Sequence, residues 1–348
     1  MTDEFPRVFL LGAGHSEAEA ARWLGRNLRE LGLGAPLVLR GIHGELLAAG
    51  IETRLDHVTP PPDADQEWTS GLGSTARRSG ADAIVALGGG RCLDVAKLAA
   101  ARAGIPVVCV PTQLSHDGIC SPVAVVPDET NRRRSLGAIS PRAVFISIPT
   151  LLISSGDAVR AGVGDLLANP FALRDWALAS GRGLAATEER SWELSRGSYD
   201  LIAGDLDDDI SELAKDPGFL VRLADGLIMS GRAMISAGNS RPASGGEHEI
   251  SHAIDDLYGA RCMHGAQVAF GCIISSALYE LDVPAFRKRL ERLGLPNHPG
   301  ELGLGSDDMV AVLLGAPDTR PGRFTVLEDA DLDENMARSL IKRIWGDG

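Results

Sequence analysis

The sequence predicts an α/β domain built on a parallel sheet, followed by a domain that consists of helices. In roughly the first 125 residues, short apolar runs alternate with helical patterns, as in sheets whose strands are joined by crossover helices. After Pro149 and Thr150 the strand signals fade and helical periodicity takes over. A chain of 348 residues is long enough for two domains. We therefore predict an α/β domain at 1–152 and an all-α domain at 153–348.

The elements of the first domain follow from its apolar runs. Strands are predicted at residues 7–11, 36–39, 81–87 and 106–110. Helical patterns lie between or after them, at residues 17–31 and 92–103. In a parallel sheet of this kind, ligands bind at the carboxyl ends of the strands. The loops that follow the strands are therefore the first places to look for functional side chains.

The second domain is predicted from helical periodicity at 164–179, 218–237 and 333–345. Pro170 lies inside the first of these patterns, which predicts a kink or an early stop. The segment 296–323 is rich in glycine, proline and aspartate, so we expect a surface loop with a short helix inside it.

Composition narrows the classes of partner. The formal net charge of −13 argues against nucleic acid or an anionic membrane surface as a partner, although a local basic pocket could still bind a small phosphorylated molecule. No apolar run approaches the roughly 18 residues of a membrane span. The five cysteines form no CxxC pair and the first residues lack a secretory pattern, which predicts free thiols in a reducing cytoplasm.

A glycine-rich turn, Gly88-Gly-Gly-Arg-Cys-Leu-Asp94, stands after a predicted strand and before a predicted helix. Glycines there let the backbone approach a pyrophosphate, and the helix N-terminus supplies free N–H groups, as in Rossmann-like domains. A plain strand-to-helix turn would look the same. Asp94 and Lys97, one turn apart, support a binding role, but they also fit a surface ion pair.

A second polar segment, Thr112-Gln-Leu-Ser-His-Asp-Gly118, follows the next predicted strand. Hydroxyls, an imidazole and a carboxylate at a strand's carboxyl end suit ligand contact better than packing. A capped turn leading to Pro122 is the alternative.

The third pattern suits a metal ion. Asp165 and Asn169 share one face of a predicted helix, and His248 and His252 share a face of another. His264 follows shortly afterwards, so three of the eight histidines fall between positions 248 and 264. One carboxylate and two or three imidazoles suit a borderline divalent ion such as Zn²⁺, with one position open for substrate.

Together these motifs resemble the glycerol-1-phosphate dehydrogenase branch of a superfamily. That superfamily also contains glycerol dehydrogenase, the iron-containing alcohol dehydrogenases and 3-dehydroquinate synthase. The matching stretches are GGGRCLDVAK, PTQLSHDGICSP, AGVGDLLAN, SRPASGGEHEISHAID, MHGAQVAFG and RPGRFTVLE, which lie between residues 88 and 328. The combination of SHDG with SRPASGGEHEISHA is the most specific of them. The resemblance implies a dehydroquinate synthase-like fold.

The resemblance also implies roles for individual residues. NAD(H) or NADP(H) would be bound by the glycine-rich turn and by the polar segment after the next strand. Gly90 through Asp94 would contact the pyrophosphate, and Thr112, Ser115 and Ser121 would lie on the nicotinamide side. These cofactor-binding candidates are Gly88, Gly89, Gly90, Arg91, Cys92, Leu93, Asp94, Thr112, Ser115 and Ser121.

For the reacting end, the resemblance implies that Asp165, His248 and His264 ligate the metal. Asp117 would bind substrate hydroxyls, and His252 would contact substrate without ligating the metal. Iron-containing alcohol dehydrogenases have a histidine four residues after the aspartate, where this chain has Asn169. Zn²⁺ is therefore favoured, with Ni²⁺ or Fe²⁺ as other divalent candidates.

The sequence allows two roles for each of two arginines, Arg40 and Arg241. Arg40, at the end of the second strand, stands where an acidic residue would hold a ribose 2′-hydroxyl. It could face a 2′-phosphate instead, or simply be exposed. Arg241, in the Ser-Arg-Pro turn, is the best candidate to bind a substrate phosphate, and it could equally pack against a neighbouring loop.

The function that follows is reversible reduction of a small phosphorylated ketone, such as dihydroxyacetone phosphate, to an alcohol of the glycerol-1-phosphate type. The last proton would come through His252 or from water at the metal. The substrate would be a small ketone or polyol, and we expect a cytoplasmic homo-oligomer.

The alternative is a carbocycle-forming lyase that resembles 3-dehydroquinate synthase and uses NAD without consuming it. Against it, the AGVGD motif carries Asp165 where the synthases use a glutamate. A catalytically inactive regulator is a third possibility, and the presence of all three implied metal ligands argues against it.

Overall fold

A computed structural model of the chain describes residues 4–129 and 133–346, with the backbone alone described at residues 133 and 134. Its strands are β1 (Arg7–Leu11), β2 (Leu37–Arg40), β3 (Ile84–Gly88), β4 (Val107–Pro111), β5 (Val123–Pro127), β6 (Arg133–Gly137) and β7 (Ala143–Ser147). Five of them form a parallel sheet in the order β1-β7-β4-β3-β2, and β5 pairs antiparallel with β6. The predicted parallel sheet is therefore confirmed.

Five helices accompany these strands: α1 (Glu17–Glu30), α2 (Glu45–Ala48), α3 (Gln66–Arg78), α4 (Gly90–Ala103) and α5 (Ile148–Leu152). The four strands predicted from sequence are present, with bounds that differ by up to three residues. Helix α1 begins at a capping box, in which the Glu19 N–H donates to Ser16 Oγ and the Ser16 N–H donates to Glu19 Oε2. Both helices predicted in this part, α1 and α4, are confirmed.

The hairpin β5–β6 and the strand β7 were not predicted from sequence. Strand β6 contains two arginines and lies outside the main sheet, so it lacks the apolar run that marks a buried strand. The hairpin packs on α4 through Ala124, Val126 and Leu98. It covers the face of α4 that carries Asp94 and Lys97, for which a surface ion pair was one of two interpretations.

The rest of the described chain is helical. Its helices are α6 (Gly156–Gly181), α7 (Glu189–Ala203), α8 (Ile210–Leu213), α9 (Pro217–Ala237), α10 (Gly246–Tyr258), α11 (His264–Leu278), α12 (Val283–Arg292), α13 (Ser306–Gly315), α14 (Val326–Ala330) and α15 (Glu334–Trp345). The predicted all-α second part is confirmed. Since β7 ends at Ser147, a domain boundary at residue 152 fits this order, and it remains our prediction.

Pro170 does not stop its helix, because α6 continues to Gly181. A proline in a helix interior costs about 3 kcal/mol. Here the helix is buried on most of its faces, including Leu166, Leu167 and Phe171, so packing outweighs that cost. The early stop that the sequence suggested is therefore wrong.

The segment 296–323 contains the predicted short helix, α13, but it is less superficial than expected. Met309, Val310, Val312 and Leu313 of α13 are buried in the main core. The segment then ends in arginines that border the cavities described below.

Packing brings the strand ends of the sheet against the helical part. Alternate residues of β3 face opposite cores, with Val85 toward α1 and Ile84 in the core shared with the helices. A Cβ on Gly162 of α6 would lie 2.4 Å from the Leu114 carbonyl oxygen, and one on Gly231 of α9 would lie 2.7 Å from the Ser121 nitrogen. These helices therefore lie directly against the loop after β4. In the described part of the chain, no helix is long and apolar enough to span a membrane.

Candidate active site

A cavity of about 180 Å³ lies where the loops after β3 and β4 meet the helical part. The loop after β4 and the helices α10 and α11 each place polar side chains in its wall. These side chains are His116, Asp117, Ser121, His248, His252 and His264. Arg320, from the segment after α13, borders the same cavity. The sheet's carboxyl edge and the helices therefore form one pocket.

Three ligand-type side chains converge at this pocket, where two of them, His248 and His264, form part of the wall. Asp165 lies on α6, His248 on α10, and His264 is the first residue of α11. One ligand atom from each lies within 4.8 Å of the others. Each imidazole Nε2 is 4.0 Å from Asp165 Oδ1, which is too far for a hydrogen bond and close to the separation of two ligands on one ion.

Neighbouring groups hold these ligands in place. The Asp117 N–H donates to Asp165 Oδ2 at 2.8 Å, which leaves Oδ1 facing the two imidazoles. Glu247 Oε1 lies 3.0 Å from His248 Nδ1 and so directs Nε2 toward Asp165. A carboxylate that orients a ligating histidine is a recurrent feature of metal sites. Sequence reasoning missed Glu247, whose only signal is its place next to His248.

The chemistry of the set fits a cation. Burial and the negative charge of Asp117 raise the pKa of Asp165 well above its ordinary value, so an ionised Asp165 needs a nearby positive charge. Burial and the positive charge of Arg320 lower the pKa of His248 well below its ordinary value, which favours the neutral imidazole that a metal requires. A divalent ion would satisfy both conditions.

Asn169, one helical turn after Asp165, does not join the ligand set. Its Nδ2 donates to Ser198 Oγ at 2.6 Å and to Ser230 Oγ at 3.2 Å, and the side chain is buried. Asn169 therefore connects α6 to α7 and α9. The position that carries a histidine in iron-containing alcohol dehydrogenases is structural here.

Asp117 and His252 both line the cavity and come from different elements. Asp117 Oδ2 accepts a hydrogen bond from Ser230 Oγ at 2.8 Å, and burial raises the pKa of Asp117 to about 6. The His252 ring lies 6.4 Å from the His264 ring, and its Nε2 is 3.5 Å from Arg320 Nη2. Burial and the charge of Arg320 lower the pKa of His252 well below its ordinary value. One group comes from the loop after β4 and the other from α10.

The glycine-rich turn connects β3 to α4, with Gly89 as the N-cap residue. A Cβ on Gly89 would lie 2.6 Å from the Gln113 amide nitrogen, and one on Gly90 would lie 2.0 Å from His116 Nε2. A side chain at either position would therefore have to displace Gln113 or His116 of the neighbouring loop.

Of the other residues predicted to contact the cofactor, some border the cavity and some are buried. Arg91 borders the cavity and donates to the Pro62 carbonyl oxygen at 2.8 Å. Cys92 and Leu93 are buried in the core, so only their backbone could meet a ligand. Thr112 and Ser115 are buried and do not line the cavity, whereas Ser121 borders it.

Asp94 and Lys97 form a buried pair, so the surface ion pair considered from sequence is wrong. Lys97 Nζ lies 3.0 Å from Asp94 Oδ1 and donates to the carbonyl oxygens of Gly118, Ser121 and Val123. Asp94 Oδ2 accepts the Val125 N–H at 3.1 Å. The pair is buried because the unpredicted hairpin covers it, and it ties α4 to the loop that carries Asp117.

The arginines considered from sequence lie at the margins. Arg40 Nη1 forms an ion pair with Glu45 Oε1 at 3.0 Å, and its side chain is partly exposed. Arg241 Nη1 donates to the Phe324 carbonyl oxygen at 3.3 Å, next to a second cavity. Sequence reasoning missed Arg320 and Arg323, although both lie in or beside the RPGRFTVLE stretch on which the resemblance rests.

Known proteins match this chain in sequence. Residues 34–151 match the family model described as iron-containing alcohol dehydrogenase. Over 344 residues the chain is 32% identical to glycerol-1-phosphate dehydrogenase [NAD(P)+] of Hyperthermus butylicus, covering 97% of each protein. The enzyme with the same name from Pyrococcus horikoshii is 32% identical over 346 residues, again with 97% of each covered.

The chain belongs to the glycerol-1-phosphate dehydrogenase branch of the iron-containing alcohol dehydrogenase family. Solved structures of other dehydrogenases share its fold. A probable glycerol dehydrogenase from Sinorhizobium meliloti superposes with a TM-score of 0.77 at 20% identity, covering 98% of this chain and 96% of that one. NADH-dependent butanol dehydrogenase A from Thermotoga maritima gives 0.71 at 16% identity, covering 97% and 96%. The resemblance stated from sequence is confirmed.

Proposed function

We propose that this protein is a metal-dependent NAD(P)H oxidoreductase that reversibly reduces dihydroxyacetone phosphate to glycerol 1-phosphate. The observation that carries the proposal is the convergence of Asp165, His248 and His264, of which the two histidines line the cavity. Membership of the glycerol-1-phosphate dehydrogenase branch supports the same activity. The relatives named above are dehydrogenases, which disfavours the synthase-like lyase.

Asp165, His248 and His264 would hold the metal, and we propose Zn²⁺, with Ni²⁺ and Fe²⁺ as other candidates. One carboxylate and two neutral imidazoles suit zinc. The structural position of Asn169 supports this choice over the arrangement with a fourth protein ligand. When bound, the ion supplies Lewis acidity to a carbonyl oxygen, and the nicotinamide supplies hydride.

Side chains of the chain itself would then position substrate and move a proton. The carboxylate of Asp117 is held by Ser230 and can accept hydrogen bonds from substrate hydroxyls. His252 is neutral in its buried setting, so its imidazole can take a proton from the alcohol during oxidation and return it during reduction. We propose these two residues as the catalytic pair around the reacting carbon.

We propose that the cofactor binds along the glycine-rich turn, with its pyrophosphate at the N-terminus of α4, from Gly88 to Asp94. The free backbone N–H groups of a helix start suit a pyrophosphate. Thr112, Ser115 and Ser121 would lie on the nicotinamide side, and Ser121 borders the cavity.

We also propose that the protein is a homo-oligomer and that it works in the cytoplasm. Light scattering of the purified protein would test the oligomeric state.

A substrate panel tests the proposal. Oxidation of NADH and NADPH is followed by absorbance with dihydroxyacetone phosphate, dihydroxyacetone and a heptulosonate-type sugar phosphate. We expect loss of absorbance with dihydroxyacetone phosphate and a lower kcat/KM with dihydroxyacetone. Turnover of the heptulosonate with no net change in nicotinamide would instead support the lyase.

A further inference from the structure

A second cavity of about 450 Å³ adjoins the first. His252 and Arg320 border both cavities, so the two are neighbours. The wall of the second also includes Arg241, Arg323 and Ser240. Three guanidinium groups therefore line a space that begins beside the proposed catalytic histidine.

The turn at residues 240–244 holds two of these guanidinium groups, those of Arg320 and Arg323, through two serine hydroxyls and one carbonyl oxygen. Arg320 Nη1 donates to Ser244 Oγ at 2.6 Å, and Arg323 Nη2 donates to Ser240 Oγ at 2.8 Å. Arg323 Nη1 also donates to the Ser244 carbonyl oxygen. Neutral acceptors fix the position of each fork and leave its positive charge in place.

Carboxylates form no direct ion pair with these three arginines, although Asp256 also borders the cavity. Within residues 4–129 and 133–346, none lies within 4.0 Å of a guanidinium nitrogen of Arg241, Arg320 or Arg323. Burial and the charges of Arg320 and Arg241 lower the pKa of Arg323 to about 10. Glu247 and Glu249 attract Arg320 and Arg323 only from beyond ion-pair distance. Buried like charges that no carboxylate pairs directly cost stability, so such a cluster indicates an anionic ligand.

We propose that Arg320 and Arg323 bind the phosphate of the substrate, with Arg241 at the rim. The inference rests on the proposed function, whose substrate carries its phosphate on the carbon next to the ketone. A ketone near Asp165, His248 and His264 would direct that phosphate past His252, toward Arg320. Planar guanidinium forks suit phosphate oxygens, which they can bind in bidentate fashion.

The test compares wild type with Arg320→Gln and Arg323→Gln. For each protein we measure kcat/KM with dihydroxyacetone phosphate and with dihydroxyacetone. Hydrogen bonds between charged groups are strong. The kcat/KM with dihydroxyacetone phosphate divided by that with dihydroxyacetone should therefore fall on the order of 10²-fold in each variant. Arg323→Lys keeps the charge without the fork, and it should give an intermediate ratio. Arg338→Gln is the matched control, since Arg338 pairs with Asp307 and Glu334 and lines neither cavity.

A second readout does not need turnover. Inorganic phosphate should raise the Tm of the wild-type protein and of Arg338→Gln, and it should fail to raise the Tm of the two glutamine variants. An unchanged substrate ratio together with an unchanged phosphate effect on Tm would overturn the proposal. If the wild type does not reduce dihydroxyacetone phosphate, the proposed function fails, and the Tm series alone then decides whether these arginines bind phosphate.

Discussion

Replacing Asp165 or His264 with alanine is expected to abolish both metal binding and turnover. Each residue supplies one of three ligand atoms that lie within 4.8 Å of one another. Removing one ligand leaves two, too few for a stable site of this type. In a purified and dialysed variant, metal content by mass spectrometry should fall to background, and kcat/KM should fall below detection.

A graded series of variants sharpens this result. Glu247→Gln keeps every ligand but weakens the hold on His248, so metal affinity should fall about 10–100-fold. His43→Ala changes an exposed histidine in the segment that follows β2, outside the cavity, and should keep full metal content. Normal turnover by Asp165→Ala or His264→Ala without metal would reject the proposed centre.

Asp117→Asn and His252→Ala are expected to keep the metal and lose most of the activity. Asp117 touches the ligand set through its backbone N–H, which asparagine retains, while its carboxylate accepts a hydrogen bond from Ser230 at the cavity wall. Loss of a proton-transfer or positioning group should cut kcat/KM on the order of 10²-fold or more. Metal analysis and steady-state kinetics on the same preparations measure both effects.

The outcomes separate three accounts of these residues. Metal loss in His252→Ala would make His252 a fourth ligand and return the site to the iron-type arrangement. Unchanged kinetics in both variants would mean that the SHDG and SHA motifs are scaffold. Retained metal with reduced kcat/KM supports roles at the substrate.

Much of the fold could be predicted because it follows from local patterns. The apolar runs of β1, β3 and β4 and the helical periods of α1, α4 and α9 are properties of short segments. Other features depend on contacts distant in sequence. The hairpin β5–β6 is stabilised by packing on α4, and Pro170 is accommodated because its helix is buried.

The candidate site likewise contains residues that the sequence could predict and residues that it could not. Asp165, His248 and His264 could be proposed together because their residue types suit a metal and the resemblance connected them. Glu247, Arg320 and Arg323 could not, since an acidic residue next to a histidine and two arginines in a loop are common on protein surfaces. Their roles depend on burial that only the folded chain shows, with Arg320 placed beside His252 although 68 positions separate them.

A metal titration tests the central claim most directly. The wild-type protein is stripped with a chelator, and NAD(P)H oxidation with dihydroxyacetone phosphate is measured as Zn²⁺, Ni²⁺ or Fe²⁺ is added back in steps. The account predicts negligible activity at the start and a rise that saturates at one ion per chain for at least one of the metals. Full activity in the stripped protein, or no activity with any metal at saturation, would contradict it.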